Sequence, residues 1–316
     1  MSSVRLTGIT GSSPLGVLAL YGILTLCQEI PDLEGAKVFW QQKTIDGFFL
    51  DEPIAEIVVP GEIDEETLVE KLANHIGEKK TEYFEWSDDF DVRVKPEIFR
   101  DMIISKLENS SYNNREWVDW LAAFGSEVIV DQSKKLVKPT LFYMTSGQQK
   151  FLKILSEISV SMKKGTIQAL HEAIFGPWMY RDPFHSLGWD PSTERLYAYG
   201  EKAPTSERPS CVKGAVYLAS ESLPMFPTIA LPNGKLATVG FSGQGKFNNK
   251  FFWPLWDSPI TIDALKSLLS SPELYDTISG KSTLIRRGVF AVYAAERMEF
   301  GKGYFIFRPS SVVWST

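Results

Sequence analysis

Cysteine and histidine are scarce in this chain of 316 residues, which has two cysteines and three histidines. Cys27 and Cys211 are too few for a disulfide framework, so we expect both to be reduced thiols in the core. His75, His171 and His185 lack the i, i+4 spacing of a zinc-binding helix, and no cysteine clusters with them. The sequence therefore predicts no metal site and no cofactor.

The usual catalytic motifs are also missing. No phosphate-binding loop is present, because the glycines and lysine at residues 243–246 have the wrong spacing, and no Gly-x-Ser-x-Gly elbow occurs. These absences argue against ATPase, helicase and serine-hydrolase chemistry, and we predict a protein that is not an enzyme. One alternative is an enzyme that uses Asp182, His185 and Asp190 with a metal ion.

Long hydrophobic runs are limited to residues 14–30 (PLGVLALYGILTLCQEI). This run is shorter than the roughly 20 apolar residues that a membrane span needs. The residues before it lack the basic region and the cleavage site of a secretory signal. We therefore predict a buried helix, no membrane contact and a cytoplasmic protein.

The charge is unevenly distributed along the chain. Residues 1–120 carry 11 Lys and Arg against 23 Asp and Glu, a net charge of −12, whereas residues 121–316 carry 22 against 16, a net charge of +6. We divide the chain into an acidic α+β part, residues 1–130, and a mildly basic α+β part, residues 131–316. Nucleic-acid contacts need cations, so they are expected in the second part; the alternative is that both surfaces are merely solvated.

The hydrophobic patterns predict an α+β fold with a mainly antiparallel sheet and packed helices. The chain opens with a β-α-β-β module, in which the helix follows a turn at Gly8, Gly11 and Ser12 and two strands, at residues 37–40 and 47–50, form a hairpin. That turn is either a simple strand-to-helix connection or an anion-binding nest. Further helices are expected at residues 63–75, 97–107, 116–124, 166–175, 214–223 and 261–269. Further strands are expected at residues 141–144, 235–241, 250–253, 289–293 and 304–308.

A capping box is predicted at Ser146-Gly147-Gln148-Gln149, with Ser146 as the N-cap of a helix that runs through Phe151 to Met162. Lys163 and Lys164 close its last turn, and Gly165 follows as a natural stop.

Residues 176–199 (GPWMYRDPFHSLGWDPSTERLYAY) form the most unusual stretch, because aromatic residues, Asp-Pro pairs and arginines occur together. One interpretation is a tryptophan-packed loop in which Arg181 and Arg195 pair with Asp182 and Asp190. The other is a nucleic-acid surface on which Trp189 and Tyr197 stack on bases and arginines contact phosphate or guanine.

Residues 251–256 (FFWPLW) form a second aromatic patch. A core or a partner interface fits this pattern, and Lys246 and Lys250, which precede it, leave a base-stacking platform open as an alternative.

Four segments carry a resemblance. The first is residues 6–24, in which Leu6-Thr7-Gly8 leads to a helix that begins at Pro14 and is rich in leucine and glycine. The others are Gly147-Gln148-Gln149, the segment Gly188-Trp189-Asp190-Pro191 with Arg195 and Tyr197, and residues 214–227. Together they resemble CRISPR-associated proteins of type I effector modules, specifically the large-subunit-like and accessory proteins of the subtype called I-U or I-G.

The resemblance implies a non-catalytic subunit of a surveillance complex guided by CRISPR RNA (crRNA). Its partners would be the other effector subunits, crRNA, target DNA and a helicase-nuclease. By residue, it implies that Gln148 and Gln149 position nucleic acid at a helix N-terminus and that Arg181, Trp189 and Arg195 touch DNA. Tyr197, Lys246 and Lys250 complete the predicted nucleic-acid set. The alternative is a scaffold without nucleic-acid contact, whose acidic first part docks a basic partner and whose Trp253–Trp256 patch lies in that interface.

Overall fold

The computed structural model describes residues 2–42, 52–79, 91–111, 115–145, 149–193, 209–243, 249–276, 278–299 and 303–316. Its architecture is α+β, as the hydrophobic pattern predicts. The helices are α1 (Pro14–Cys27), α2 (Glu65–Glu78), α3 (Pro96–Glu108), α4 (Glu116–Phe124), α5 (Phe151–Met162), α6 (Thr166–Phe175), α7 (Lys213–Glu221), α8 (Ile262–Leu269) and α9 (Lys281–Arg286). The strands are β1 (Ser2–Thr10), β2 (Lys37–Gln41), β3 (Ile54–Val59), β4 (Gly125–Val130), β5 (Val137–Pro139), β6 (Thr228–Ala230), β7 (Leu236–Thr238), β8 (Phe241–Ser242), β9 (Asn249–Trp256), β10 (Val289–Glu299), β11 (Phe305–Phe307) and β12 (Ser311–Ser315).

The chain begins with the expected β-α-β-β module. Strand β3 lies between β1 and β2, and all three are antiparallel. The strand predicted at residues 47–50 falls outside the described residues, and β3 follows it in the chain. Helix α1 begins because Ser13 accepts a hydrogen bond from the Gly16 N–H and Pro14 occupies the first turn.

Helix α1 is buried on every side, because all its residues except Thr25 are buried. Cys27 at its end is buried and unbridged, as is Cys211, which confirms the prediction of core thiols. Burial raises the pKa of the Cys27 thiol to about 12. No helix within the described ranges has both the length and the apolar character needed to cross a membrane.

A larger antiparallel sheet is built around β10. Strand β9 pairs along one edge of β10 and is followed by β8, while β11 and β12 share the other edge at different heights. Two short hairpins, β4–β5 and β6–β7, lie outside this sheet.

Two glycines let the central helices approach each other closely. A Cβ atom at Gly22 of α1 would lie 1.7 Å from the carbonyl oxygen of Leu218 on α7. A Cβ atom at Gly214 of α7 would lie 2.1 Å from the carbonyl oxygen of Ala169 on α6. Helices α1, α7 and α6 therefore stack through glycine contacts, with the first helix inserted among elements from the second half of the chain.

The charge boundary near residue 130 does not coincide with a break in the fold. Hairpin β4–β5 spans that boundary, and buried residues from both parts belong to one hydrophobic cluster.

Residues 141–144 do not form the predicted strand. They make a buried turn in which Phe142 lies at the centre of an aromatic cluster with Trp189, Phe226 and Phe251. The buried guanidinium of Arg297 donates hydrogen bonds to the carbonyl oxygens of Leu141 and Tyr143, which takes these groups out of any sheet ladder. The apolar pattern thus reflects burial without strand pairing.

The predicted capping box is also wrong. Helix α5 begins at Phe151 with Lys150 at the N-cap position, and no side chain there caps the backbone. The residues Ser146, Gly147 and Gln148 fall outside the described residues, whereas Gln149 bonds to a loop side chain described below.

The aromatic patch at residues 251–256 belongs to the core. Trp253 and Trp256 are both at most 1% exposed. Their indole N–H groups donate to the carbonyl oxygens of Gly11 and Val38, which joins β9 to the N-terminal module. These two tryptophans hold the fold together, and the prediction that they lie in a partner interface is wrong.

Candidate functional site

A pocket of about 420 Å³ opens where β1 turns into α1. One wall comes from the turn between Thr10 and Pro14, and the others come from Glu52, from Trp178 and Tyr180, from residues 190–192 and from Pro309 and Ser310. The pocket therefore gathers segments from both ends of the chain and from its most unusual loop.

The turn from β1 to α1 is a tight connection in which three N–H groups are already used. The N–H of Gly11 donates to the Pro53 carbonyl, that of Ser13 to the Thr10 carbonyl and that of Gly16 to the Ser13 hydroxyl. Pro14 has no N–H to offer. These bonds favour the strand-to-helix interpretation, because an anion-binding nest needs several free N–H groups that converge.

Asp190 is the most unusual side chain in the pocket lining. It is only 2% exposed, and its Oδ1 accepts a hydrogen bond of 2.8 Å from the Ser192 N–H. Its Oδ2 is buried and has no hydrogen-bond partner among the residues that the structure describes. Burial raises the pKa of this carboxyl, although the Ser192 N–H and Tyr180 act in the opposite direction.

The pocket is also lined by a second acidic side chain and by two aromatic side chains. Glu52 accepts a hydrogen bond of 2.7 Å from the Ser12 hydroxyl. Trp178 is fixed by a hydrogen bond from its indole to the Ala173 carbonyl, and its ring meets that of Tyr180 edge to face. No lysine, arginine or histidine is among the described residues that line this pocket.

Trp189 does not lie on a surface. It is 0% exposed, its indole N–H donates to the Phe142 carbonyl, and its ring packs edge to face on Phe142. The prediction that Trp189 stacks on a base is wrong for this reason, since both ring faces are occupied by the core. The burial of Trp189 agrees with the other interpretation of this stretch, a tryptophan-packed loop.

Arg181 is exposed on the same loop, as a nucleic-acid contact requires. The predicted pair with Asp182 is not formed. Asp182 instead accepts a hydrogen bond from the Lys213 N–H at the start of α7 and lies 3.4 Å from the Lys213 ammonium. Arg195 and Tyr197, the other predicted contacts in this stretch, fall outside the described residues.

Gln149 and His185 contact each other, with 3.0 Å between Gln149 Nε2 and His185 Nε2. Burial lowers the pKa of His185. His185 is thus bonded to an amide, Asp182 to Lys213 and Asp190 to the Ser192 backbone, so the three proposed catalytic groups have separate partners. Within the described residues, no group of three or more acidic, histidine or cysteine side chains is placed to hold a metal ion.

Lys250 is exposed near the start of β9, where it lies opposite Glu296 in the antiparallel register. Gln148 and Lys246 fall outside the described residues. Of the eight predicted nucleic-acid residues, the structure therefore describes Gln149, Arg181, Trp189 and Lys250. The side chains of Arg181 and Lys250 are exposed.

Sequence reasoning missed Glu52, Trp178, Tyr180 and Ser192 as members of one site. Two features of the sequence pointed to parts of this site. One is Asp190 beside a proline in an aromatic loop, and the other is the glycine-rich turn before α1. Nothing in the spacing indicates that these two segments meet.

Comparisons with models of protein families, with curated proteins and with solved structures found no match.

Replacement of Asp190 with asparagine is expected to raise the free energy of unfolding by about 1 kcal/mol at neutral pH. The raised pKa of Asp190 means that the folded protein retains a proton that the unfolded chain has lost. Wild-type stability therefore falls as pH rises from the unfolded pKa through the folded pKa, and asparagine removes this loss. Tyr180 and Cys211, which face Asp190, stay uncharged in this range because burial, followed by nearby carboxylates, raises their pKa values. Urea unfolding at several pH values measures the difference.

Asp182→Asn is the matched control for that experiment. Its carboxylate has a cation and a backbone donor, so its replacement is expected to lower stability at neutral pH. An Asp190→Asn variant that is less stable than wild type at neutral pH would contradict the interpretation of Oδ2 as an unsatisfied group.

Proposed function

We propose that this chain is a non-catalytic subunit of a crRNA-guided effector complex of the type I CRISPR kind, where it binds target nucleic acid and neighbouring subunits in the cytoplasm. The observation that carries the proposal is the convergence in space of segments that resemble this family. Residues 6–24 contain the turn before α1, and Asp190-Pro191 forms part of the same pocket. Residues 214–227 contain most of α7, which packs on α1 at Gly22.

This convergence gives weight to motifs that have little weight singly. Short motifs scattered along a chain occur by chance, but here several of them meet around one pocket and one helix contact. Gln149, from the Gly147-Gln148-Gln149 segment, adds to the same region through its contact with His185, which lies on the loop that contributes Trp178, Tyr180 and Asp190 to the pocket. The arrangement is what a shared family fold would produce.

Arg181 is the residue best placed to contact nucleic acid under this proposal. It is exposed and follows Tyr180, which lines the pocket, and it forms no ion pair within the described part of the chain. An exposed arginine without a protein partner keeps its full charge for a phosphate or a guanine edge. Lys250 offers a second exposed cation, with Glu296 opposite it.

The Arg181→Glu variant is expected to weaken the binding of duplex and single-stranded DNA by the assembled complex by roughly tenfold, and to reduce the slope of log affinity against log salt by about one. The experiment reconstitutes the chain with the products of its neighbouring genes and crRNA, and measures binding at several salt concentrations.

Arg100→Glu is the matched control, because Arg100 is an exposed arginine on α3 in the acidic part of the chain. It changes the net charge equally and is expected to leave DNA affinity within about twofold of wild type. Equal losses of DNA affinity in the two variants would show that the change in net charge, and not the position of Arg181, causes the effect. Failure of the wild-type chain to assemble with any neighbouring gene product or to bind nucleic acid would overturn the proposed function.

A scaffold role is the second candidate, and a group of exposed apolar residues favours it. Ile104 and Leu107 on α3, Val128 on β4 and Ile229 on β6 are between 47% and 60% exposed. Strand β4 contacts both α3 and β6, so these side chains belong to neighbouring elements. Apolar surface of this kind is typical of protein interfaces.

The scaffold candidate predicts that Val128→Lys and Ile229→Lys reduce assembly with partner subunits and leave the fold of the isolated chain intact. Val312→Lys, at an apolar residue of β12 that is 50% exposed, serves as the control. Size-exclusion chromatography of the reconstituted mixture gives the readout, and unchanged assembly of both variants argues against this surface.

A further inference from the structure

The pocket at the start of α1 is rich in hydrogen-bond acceptors, and several of its donors are already used within the chain. The turn N–H groups of Gly11, Ser13 and Gly16 are bonded within the chain. The Ser12 hydroxyl donates to Glu52 and the Ser310 hydroxyl donates to the Ser12 carbonyl, so the lone pairs of both oxygens remain to accept. A ligand that carries several hydrogen-bond donors suits this lining.

The charges of the pocket have one sign. Among the described residues that line it, Asp190, Glu52 and Tyr180 are the ionisable ones, and none is basic. Phosphates and carboxylates are repelled by such a lining, whereas a positively charged group is attracted to it.

Asp190 supplies the observation that points to a ligand. Buried carboxylates in proteins are normally paired with a cation or fully hydrogen-bonded. Within the described part of the chain, the Oδ2 of Asp190 has no hydrogen-bond partner, and no lysine or arginine forms an ion pair with Asp190. A cationic group with N–H donors is the species that satisfies both its charge and its lone pairs.

Trp178 and Tyr180 add aromatic surface to the pocket. Aromatic faces attract organic cations, and tryptophan does so most strongly. Carboxylates, hydroxyl oxygens and aromatic rings together favour an organic cation over a metal ion, because a metal ion gains nothing from the rings and needs more oxygen ligands than two carboxylates provide.

We propose that this pocket binds an organic cation that bears a guanidinium or primary ammonium group, with Asp190 as its ion-pair partner. The volume of about 420 Å³ falls in the range of small-molecule sites. The cationic group belongs either to a free small molecule or to an arginine side chain of a partner protein. The chemistry of recognition is the same in both cases. This inference does not depend on the nucleic-acid role, because its test uses the isolated chain.

The test titrates the purified full chain with agmatine, which carries both cationic groups, and follows binding by calorimetry and by the indole N–H resonance of Trp178. A Trp178→Phe variant assigns that resonance among the nine tryptophans. We expect saturable binding of agmatine that shifts the Trp178 resonance. We expect no binding of methylurea, a neutral analogue of methylguanidinium.

Asp190→Asn is expected to weaken agmatine binding at least roughly tenfold, the loss that follows when one charge-assisted pair is removed. Asp263→Asn, at an acidic residue in the first turn of α8 that does not line the pocket, is expected to bind like wild type. Absence of saturable binding, or equal affinity in wild type and Asp190→Asn, would overturn the proposal. Guanosine binding in place of agmatine would overturn it as well, because the pocket would then take a neutral base.

A capped arginine peptide distinguishes the two sources of the cation. Tighter binding of the peptide than of agmatine indicates that the cation is the side chain of a partner protein. Tighter binding of agmatine indicates that it is a free small molecule. Both results support the pocket chemistry.

Discussion

Gly22→Ala is expected to destabilise the protein by at least about 3 kcal/mol, a large share of the stability of an ordinary domain. The added methyl group would lie 1.7 Å from the Leu218 carbonyl oxygen and 2.6 Å from its carbon. These are backbone atoms of α7, so they cannot rotate aside as a side chain does, and helices α1 and α7 must separate. The roughly 1 kcal/mol that alanine contributes to helix propensity is too small to compensate. Urea unfolding and the yield of folded protein measure the effect.

Gly77→Ala provides the control on another helix. Gly77 is exposed on α2, and a Cβ atom there meets nothing within 4 Å. Only the propensity effect remains, so this variant is expected to be more stable than wild type by about 0.5–1 kcal/mol. Similar changes in stability for the two alanine variants would show that helices α1 and α7 do not pack at the distance described.

Elements governed by local patterns were predictable from the sequence. Helices α4 and α6 have the predicted bounds, and Thr261 caps α8 by accepting a hydrogen bond from the Ala264 N–H. The order of the N-terminal module was also predictable, because β1 and α1 are separated by a glycine turn and a proline. In each case the decisive interactions lie within a few residues of one another.

Elements governed by long-range contacts were not predictable. The apolar residues 141–144 resemble a strand, yet Arg297, far away in sequence, takes the carbonyl groups that a strand would use. The pattern at Trp253 and Trp256 fits a core or a partner interface, and only the acceptors of their N–H groups, on Gly11 and Val38 in the N-terminal module, show that it is the core. A hydrophobic pattern shows that a segment is buried but does not show what covers it.

The candidate site was predictable only in pieces. The turn before α1 and Asp190 both drew attention in the sequence, but their encounter depends on the path of the whole chain. Trp189 was assigned to a nucleic-acid surface although it lies in the core. An aromatic residue beside an aspartate suits a binding surface and a core equally well. Its neighbour Asp190 lines the pocket, whereas Trp189 points into the aromatic cluster around Phe142.

Lys79→Met is the second substitution with a large expected effect, a loss of about 3–5 kcal/mol in the free energy of unfolding. The Lys79 side chain is 7% exposed, and its ammonium lies 3.0 Å from Glu221, 3.1 Å from Glu29 and 3.1 Å from Glu116. Glu221 is the most deeply buried of the three, with 3% of its side chain exposed. Without the lysine this carboxylate is left in the interior with no cation, and chemical denaturation at neutral pH measures the cost.

Two comparisons separate this buried network from ordinary surface charge. Lys71→Met removes a surface ion pair with Asp32, whose side chain is 70% exposed, and is expected to cost at most about 1 kcal/mol. The double variant Lys79→Met, Glu221→Gln removes the stranded charge and is expected to recover part of the stability lost in Lys79→Met. Recovery would show that the isolated carboxylate, more than the lost lysine packing, causes the destabilisation. A double variant less stable than Lys79→Met would show instead that Glu221 contributes to stability through contacts other than its pair with Lys79, because removal of its charge would then carry no benefit.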